Sequence, residues 1–167
     1  MKPALPQIGR YSTLDVLGRG GMGVVYLARH PDLGYELAIK VLLKGRSATP
    51  AQRKRFQREI RALKQLKHRG LVEILDVGVH QGAPWFAMRR VVGESLEERL
   101  RVRGPLSNEE ALELGVQLCG ALNAAHAIGI LHRDLKPDNV LCAPESRYVL
   151  TDFGLTKELS RGGVYSS

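Results

Sequence analysis

His132-Arg133-Asp134-Leu135-Lys136-Pro137-Asp138-Asn139, followed after two short apolar runs by Asp152-Phe153-Gly154, is the stretch on which the reading of this chain turns. Its residue types suit one chemistry. Asp134 can orient a hydroxyl nucleophile and accept its proton. Asn139 and Asp152 supply hard oxygens of the kind that hold Mg²⁺ between phosphates. Lys136 can neutralise charge that develops on a transferred phosphoryl group. Either segment alone fits a surface turn. Both in this order, downstream of a glycine cluster and a strand-end lysine, have no such simple account.

Upstream, Gly18-Arg19-Gly20-Gly21-Met22-Gly23 matches GxGxxG. A dinucleotide-binding fingerprint requires a helix directly after the last glycine. Here Val24-Val25-Tyr26 follows, β-branched and aromatic, which predicts a strand. No Lys-Ser or Lys-Thr follows the glycines, so a Walker loop is excluded as well. What remains is a glycine hairpin between two strands, able to lie over phosphates because no Cβ blocks its amides.

Leu37-Ala38-Ile39-Lys40 ends the next strand on a lysine. Pleating puts Ala38 and Lys40 on one face, the small residue leaving room for a flat ligand and the lysine able to meet a phosphate. Downstream, Phe56, Ile60, Leu63 and Leu66 recur at helical spacing. This helix, expected over 51–68, carries seven basic residues and one acid, Glu59. Glu59 lies three residues after Phe56 and four before Leu63, beside the apolar stripe. An acid there needs a cation, and Lys40 is the natural partner. The basic remainder reads as the solvated side of the helix rather than as a nucleic-acid face.

Strands are expected at 11–17, 24–28, 36–42, 72–77 and 85–91, a short helix at 95–100, and a long helix opened by a Ser107/Glu110 capping box. That helix is expected to bury Ala111, Leu114, Leu118, Ala121, Leu122 and Ala125. The composition shifts from strand-rich to helical near Gly93. His126 reads as a core histidine, and His30 and His80 as turn residues.

The 167 residues suit one domain, and 44% hydrophobic residues suffice for a core. Cys119 and Cys142 sit in no CxxC or Cys/His cluster and read as reduced, packed thiols, with a cytoplasmic setting expected. Residues 1–10 have no apolar run, so no signal peptide is expected, and no stretch reaches the length of a membrane helix. The net charge of +8 reads as a solvated surface plus a polyphosphate site, with the basic residues distributed along the chain rather than in a tail.

Together the glycine loop, Lys40, Glu59, the HRDLxxxN loop and Asp152-Phe153-Gly154 resemble the catalytic domain of a eukaryote-like, bacterial-type Ser/Thr protein kinase, from about Tyr11 to the last residue. Lys136 resembles the Ser/Thr class. The resemblance implies an α+β, two-lobed fold: an antiparallel sheet plus one helix over about 11–88, a hinge at about 89–93, and an incomplete, mostly helical lobe over about 94–167. It implies transfer of the ATP γ-phosphoryl group, with Mg²⁺, to Ser or Thr of a protein substrate, and neither nucleic-acid binding nor a membrane segment within the chain. Asp134 and Lys136 then take the catalytic roles, and Asn139 and Asp152 the metal. Leu17, Gly18, Gly20, Gly21, Gly23, Val25, Ala38, Lys40, Glu59, Met88 and Leu141 take the nucleotide, with Val25, Ala38 and Leu141 around adenine and Met88 as gatekeeper. Leu63, Ile74, His132 and Phe153 resemble the family's hydrophobic spine. Arg133 resembles an arginine that pairs with a phosphate on the following segment, where Thr156, Ser160, Tyr165, Ser166 and Ser167 are the candidate acceptors.

Three departures stand out. Leucine replaces valine in the strand motif, Arg89-Arg90 occupies the hinge, and no Ala-Pro-Glu motif follows Gly154. The last leads to the expectation of a domain truncated after the Asp-Phe-Gly triplet. It leaves open an ATP-binding but catalytically incompetent fragment or regulatory module, and self-association through an exposed helical lobe.

Overall fold

The computed structural model describes residues 5–21 and 23–153. They form two compact units, one of residues 5–60 and 74–90, the other of 61–73 and 91–153.

The first unit is a six-stranded antiparallel sheet in the order β1-β2-β3-β4-β6-β5. The strands are β1 (Gln7–Ile8), β2 (Tyr11–Gly20), β3 (Gly23–Arg29), β4 (Glu36–Val41), β5 (Ile74–His80) and β6 (Ala83–Arg89). The β-branched and aromatic runs form strands where the period-2 pattern predicts, although the fourth and fifth start two residues away from expectation. Register fixes the faces. Tyr26, Ile39 and Ala87 pair across β3, β4 and β6, as do Ala28, Leu37 and Arg89. Ile39, Ala87, Ala28 and Leu37 join Ile8, Tyr11, Val41 and Trp85 in a buried cluster. The Trp85 ring lies against Gly9 and Gly78, where an added Cβ would come within 2.8 and 2.6 Å of it. Tyr11 crosses Trp85 edge-on and donates its hydroxyl to Asp76 Oδ2 at 2.8 Å.

α1 (Pro50–Gln65) buries Phe56 and Ile60, as their spacing predicts, and ends three residues before the expected limit. Its start is held by Arg53, which donates to the carbonyls of Ala48, Gly82 and Arg46 at 3.1, 3.2 and 2.8 Å.

The second unit holds α2 (Leu96–Arg103), α3 (Asn108–His126) and the antiparallel strands β7 (Glu94–Ser95), β8 (Val140–Ala143) and β9 (Arg147–Leu150). The capping box opening α3 is reciprocal: Glu110 N–H donates to Ser107 Oγ at 3.1 Å, and Ser107 N–H donates to Glu110 Oε2 at 2.8 Å. Arg99 adds a bond to Glu110 Oε1 at 2.6 Å. These donors, Ser107 foremost, hold the Glu110 carboxyl below the usual carboxylate range.

Several local expectations need correction. Ala121 and Ala125 are buried and Leu114, Leu118 and Leu122 half-buried, but Ala111 is exposed, because it lies in the first turn of α3, ahead of the packed stretch. His126 is exposed in the last turn, where a basic side chain suits the helix C-terminus. Cys119 is exposed rather than packed. Cys142 is half-buried, and burial, then Glu94, pushes its thiol up, away from thiolate chemistry.

Candidate active site

In the second unit the loop 132–139 is bonded to the chain entering Asp152. Thr151 makes three of the links. Its N–H and its hydroxyl both donate to the Asn139 carbonyl, at 2.8 and 3.2 Å, and its own carbonyl accepts from His132 Nε2 at 2.7 Å. His132 Nδ1 in turn accepts the Asp134 N–H at 3.3 Å. One ring nitrogen donates and the other accepts, so the two partners select the Nε2–H tautomer. His132 is buried, with its ring centroid 4.8 Å from that of Phe153. Arg133 and Asp152 have φ of 61° and 53°, the left-handed region that L residues rarely enter. The Thr151 and His132 bonds on either side hold them there. Backbone strain of this kind persists where the surroundings over-determine it.

Asn139, buried, donates through Nδ2 to the Asp134 carbonyl at 2.7 Å and to its carboxylate Oδ2 at 3.1 Å. Those bonds orient the amide and leave Oδ1, a hard oxygen, as its acceptor. The donor set fits Mg²⁺, which is held by one or two carboxylates or amide oxygens together with substrate phosphates. Among the described residues there is no cluster of three or more His, Cys, Asp or Glu that would form an all-protein metal cage. Asp134 is half-buried, whereas Lys136 is exposed, 3.6 Å from Asp138 Oδ2. Leu141 is half-buried in β8.

In the first unit the sheet register gathers the nucleotide candidates on the face opposite the Trp85 cluster. Val25 pairs with Lys40 and Lys40 with Phe86, while Leu27 pairs with Ala38 and Ala38 with Met88. Val25, Ala38, Lys40 and Met88 therefore share one face. Lys40 is buried and Glu59 half-buried on α1. Leu17 stands at a register shift in β2 and is 49% exposed.

The hairpin closes with Gly20 opposite Gly23. Its glycines differ in what demands them. A Cβ on Gly23 would fall 1.9 Å from the Val41 carbonyl oxygen, so strand packing alone requires glycine. A Cβ on Gly18, Gly20 or Gly21 would meet nothing within 4 Å among the described residues, and none of these backbones is left-handed. Packing among the described residues does not require glycine at these three.

Residues 11–167 match the family described as Protein kinase domain. The chain belongs to it. It is 40% identical over 152 residues to the "Probable serine/threonine-protein kinase PknB" of Lactococcus lactis, covering 90% of this chain and 24% of that protein. The crystal structure of the PknI kinase domain of Mycobacterium tuberculosis superposes with a TM-score of 0.79 at 37% identity, over 87% of this chain and 58% of that one. Rad53 1–466, solved in complex with AMP-PNP, superposes with a TM-score of 0.74 at 28% identity, over 87% of this chain and 38% of that one. The kinase domain thus has bacterial Ser/Thr kinase relatives, and the chain spans about a quarter of the length of the lactococcal one.

Thr151 was not singled out from the sequence, because a threonine before Asp152 carries no signal of its own. Gln117 was missed likewise. It pins the β8–β9 hairpin to α3, donating to Ser146 O at 2.8 Å and accepting from Tyr148 N–H at 3.0 Å. Met22, Gly154 and the acceptors Thr156, Ser160, Tyr165, Ser166 and Ser167 lie outside the described residues.

Proposed function

We propose that this chain carries the ATP-binding and catalytic residues of a Ser/Thr protein kinase, which transfers the ATP γ-phosphoryl group to Ser or Thr hydroxyls of proteins. The observation that carries the reading is the bonding of Asn139 to Asp134 and to Thr151, with His132 linking Asp134 to Thr151. It sets a candidate base beside a candidate metal ligand and ties both to the Asp152 turn.

In this reading the glycine hairpin covers the phosphates with backbone amides, and Lys40, partnered by Glu59, aligns them. Val25, Ala38 and Leu141 contact adenine, Leu17 borders the loop, and Met88 limits the depth of the pocket. Asn139 Oδ1 and the Asp152 carboxylate hold the metal. Mg²⁺ held by these residues would supply neutralisation of phosphate charge. Asp134 orients the substrate hydroxyl and takes its proton as the oxygen bonds to the γ-phosphorus. The bond from that phosphorus to the bridging oxygen breaks, and ADP leaves. Lys136, exposed on the same loop, offsets charge on the moving phosphoryl group. Among the described residues no helix is long and apolar enough to cross a membrane. We propose residues 89–93 as the hinge and a cytoplasmic setting.

The test is phosphate transfer from γ-labelled ATP to Ser/Thr peptides. Asp134→Asn is expected to lower transfer by about 10²–10⁴-fold while ATP binding stays nearly intact. Equal transfer by the variant removes Asp134 from its role.

A further inference from the structure

One helix, α1, carries most of the chain's net positive charge. α1 (Pro50–Gln65) holds six cations and one acid, leaving five of the chain's eight net positive charges on that helix. Arg53 is occupied in holding carbonyls. Lys54, Arg58, Arg61 and Lys64 have no such work. All four are exposed, and among the described residues none has an ion-pair partner.

Their spacing makes the arrangement costly. Lys54 and Arg58 stand four apart, Arg58 and Arg61 three apart, and Arg61 and Lys64 three apart, and like charges at these intervals repel. Elsewhere the chain avoids this: α2 sets Arg101 on Glu98 at 2.6 Å and Arg103 on Glu94. α1 also has no acid in its first turn to offset the positive end of its dipole. The result is a row of four cations spanning about 15 Å at about 1.5 Å per residue, with Lys54, Arg58 and Arg61 opposite the apolar stripe of Phe56 and Ile60 and Lys64 at its flank.

We propose that this face of α1 is a docking surface for an acidic polypeptide segment, its anions supplied by Asp and Glu or by phosphorylated side chains. Charge complementarity selects an anion, and the arginine forks suit carboxylate and phosphate alike. The rest of the face selects a polypeptide. No large apolar side chain on α1 is exposed, so the helix has no wedge to insert into a bilayer. It presents no aromatic ring on which bases could stack. The proposal is independent of phosphoryl transfer, although α1 also carries Glu59 on its inner side.

The test titrates the full chain, without ATP, against labelled peptides of equal length: Glu-rich, phosphoserine-containing, and a neutral Gln-rich control. A DNA duplex and phosphatidylserine vesicles form separate arms. The two anionic peptides are expected to bind, more weakly as salt rises. The combined substitution Lys54→Gln, Arg58→Gln, Arg61→Gln and Lys64→Gln is expected to weaken binding by about tenfold or more, with melting temperature held or raised by the relieved repulsion. Arg58→Glu alone provides a second variant should the combined one fold poorly, with a smaller loss expected. Whichever anionic peptide binds more tightly names the anion. Equal binding by the variants, equal binding of the neutral peptide, or tighter binding of DNA or vesicles than of either anionic peptide would overturn the proposal. Mg-ATP binding is measured in parallel, so failure of the kinase reading is seen separately.

Discussion

The loop at 132–139 holds its candidate catalytic side chains by bonding them to one another and to Thr151, whereas the hairpin at 18–23 is distinguished by the side chains its glycines lack. In the loop Asn139 is fixed by Asp134 and His132 by Thr151. In the hairpin Gly23 is fixed by the Val41 carbonyl, while Gly18, Gly20 and Gly21 answer to nothing in the described fold. One region is pre-organised by polar contacts before any ligand arrives. The other provides a clear backbone surface, on which the proposed function places the nucleotide phosphates. Substitutions in the two should therefore fail in different ways.

The largest effect on stability is expected at Gly23. Gly23→Ala forces a methyl against backbone that cannot swing away and should cost about 3 kcal/mol, the upper end of the usual overpacking range. Gly20→Ala, opposite Gly23 in the hairpin but with open space around the added Cβ, should leave stability within about 0.5 kcal/mol and instead weaken nucleotide binding. Chemical denaturation beside nucleotide titration separates the two, and equal destabilisation by both variants would erase the distinction between the glycines.

Thr151→Val tests the loop. It removes the hydroxyl bond to the Asn139 carbonyl and keeps the shape, so stability should fall by about 1 kcal/mol. Phosphoryl transfer should fall with ATP affinity little changed, because the bond positions Asn139 and Asp134 rather than adenine. A Thr151→Ser variant, which restores the hydroxyl, should recover most of the loss.

Much of this was legible in the sequence. The strand after Gly23 excluded a dinucleotide fold, and the structure shows Gly23 opening a strand. The Ser107/Glu110 pair announced a helix start, and the capping box is there. Local chemistry of this kind is written in neighbouring residues. What was not legible depends on partners distant along the chain. Thr151 matters through contacts to residues 12 and 19 positions away, and Gln117 through a hairpin 29 positions on. The exposure of Ala111 escaped notice because helical spacing names a face but not how far along it the packing extends, and Cys119 lies off that face.

The smallest effect concerns pH. The folded Glu110 carboxyl lies below its ordinary range, held by Ser107 and Arg99. Its contribution is therefore fully present above the usual carboxylate range and is lost as pH falls through the depressed value. The melting temperature of Glu110→Gln should lie below that of the parent near neutrality, with the gap closing on acidification. A gap that persists unchanged at low pH would show that the ionised carboxylate is not what holds the cap.

The most direct measurement is calorimetric titration of the folded chain with ATP, with and without Mg²⁺, beside Asp152→Asn. Binding that strengthens with Mg²⁺, and loses that Mg²⁺ dependence in the variant while the fold is kept, is the result predicted. A folded chain that binds no ATP, or binds it with the same affinity whether or not Mg²⁺ is present, would contradict the account.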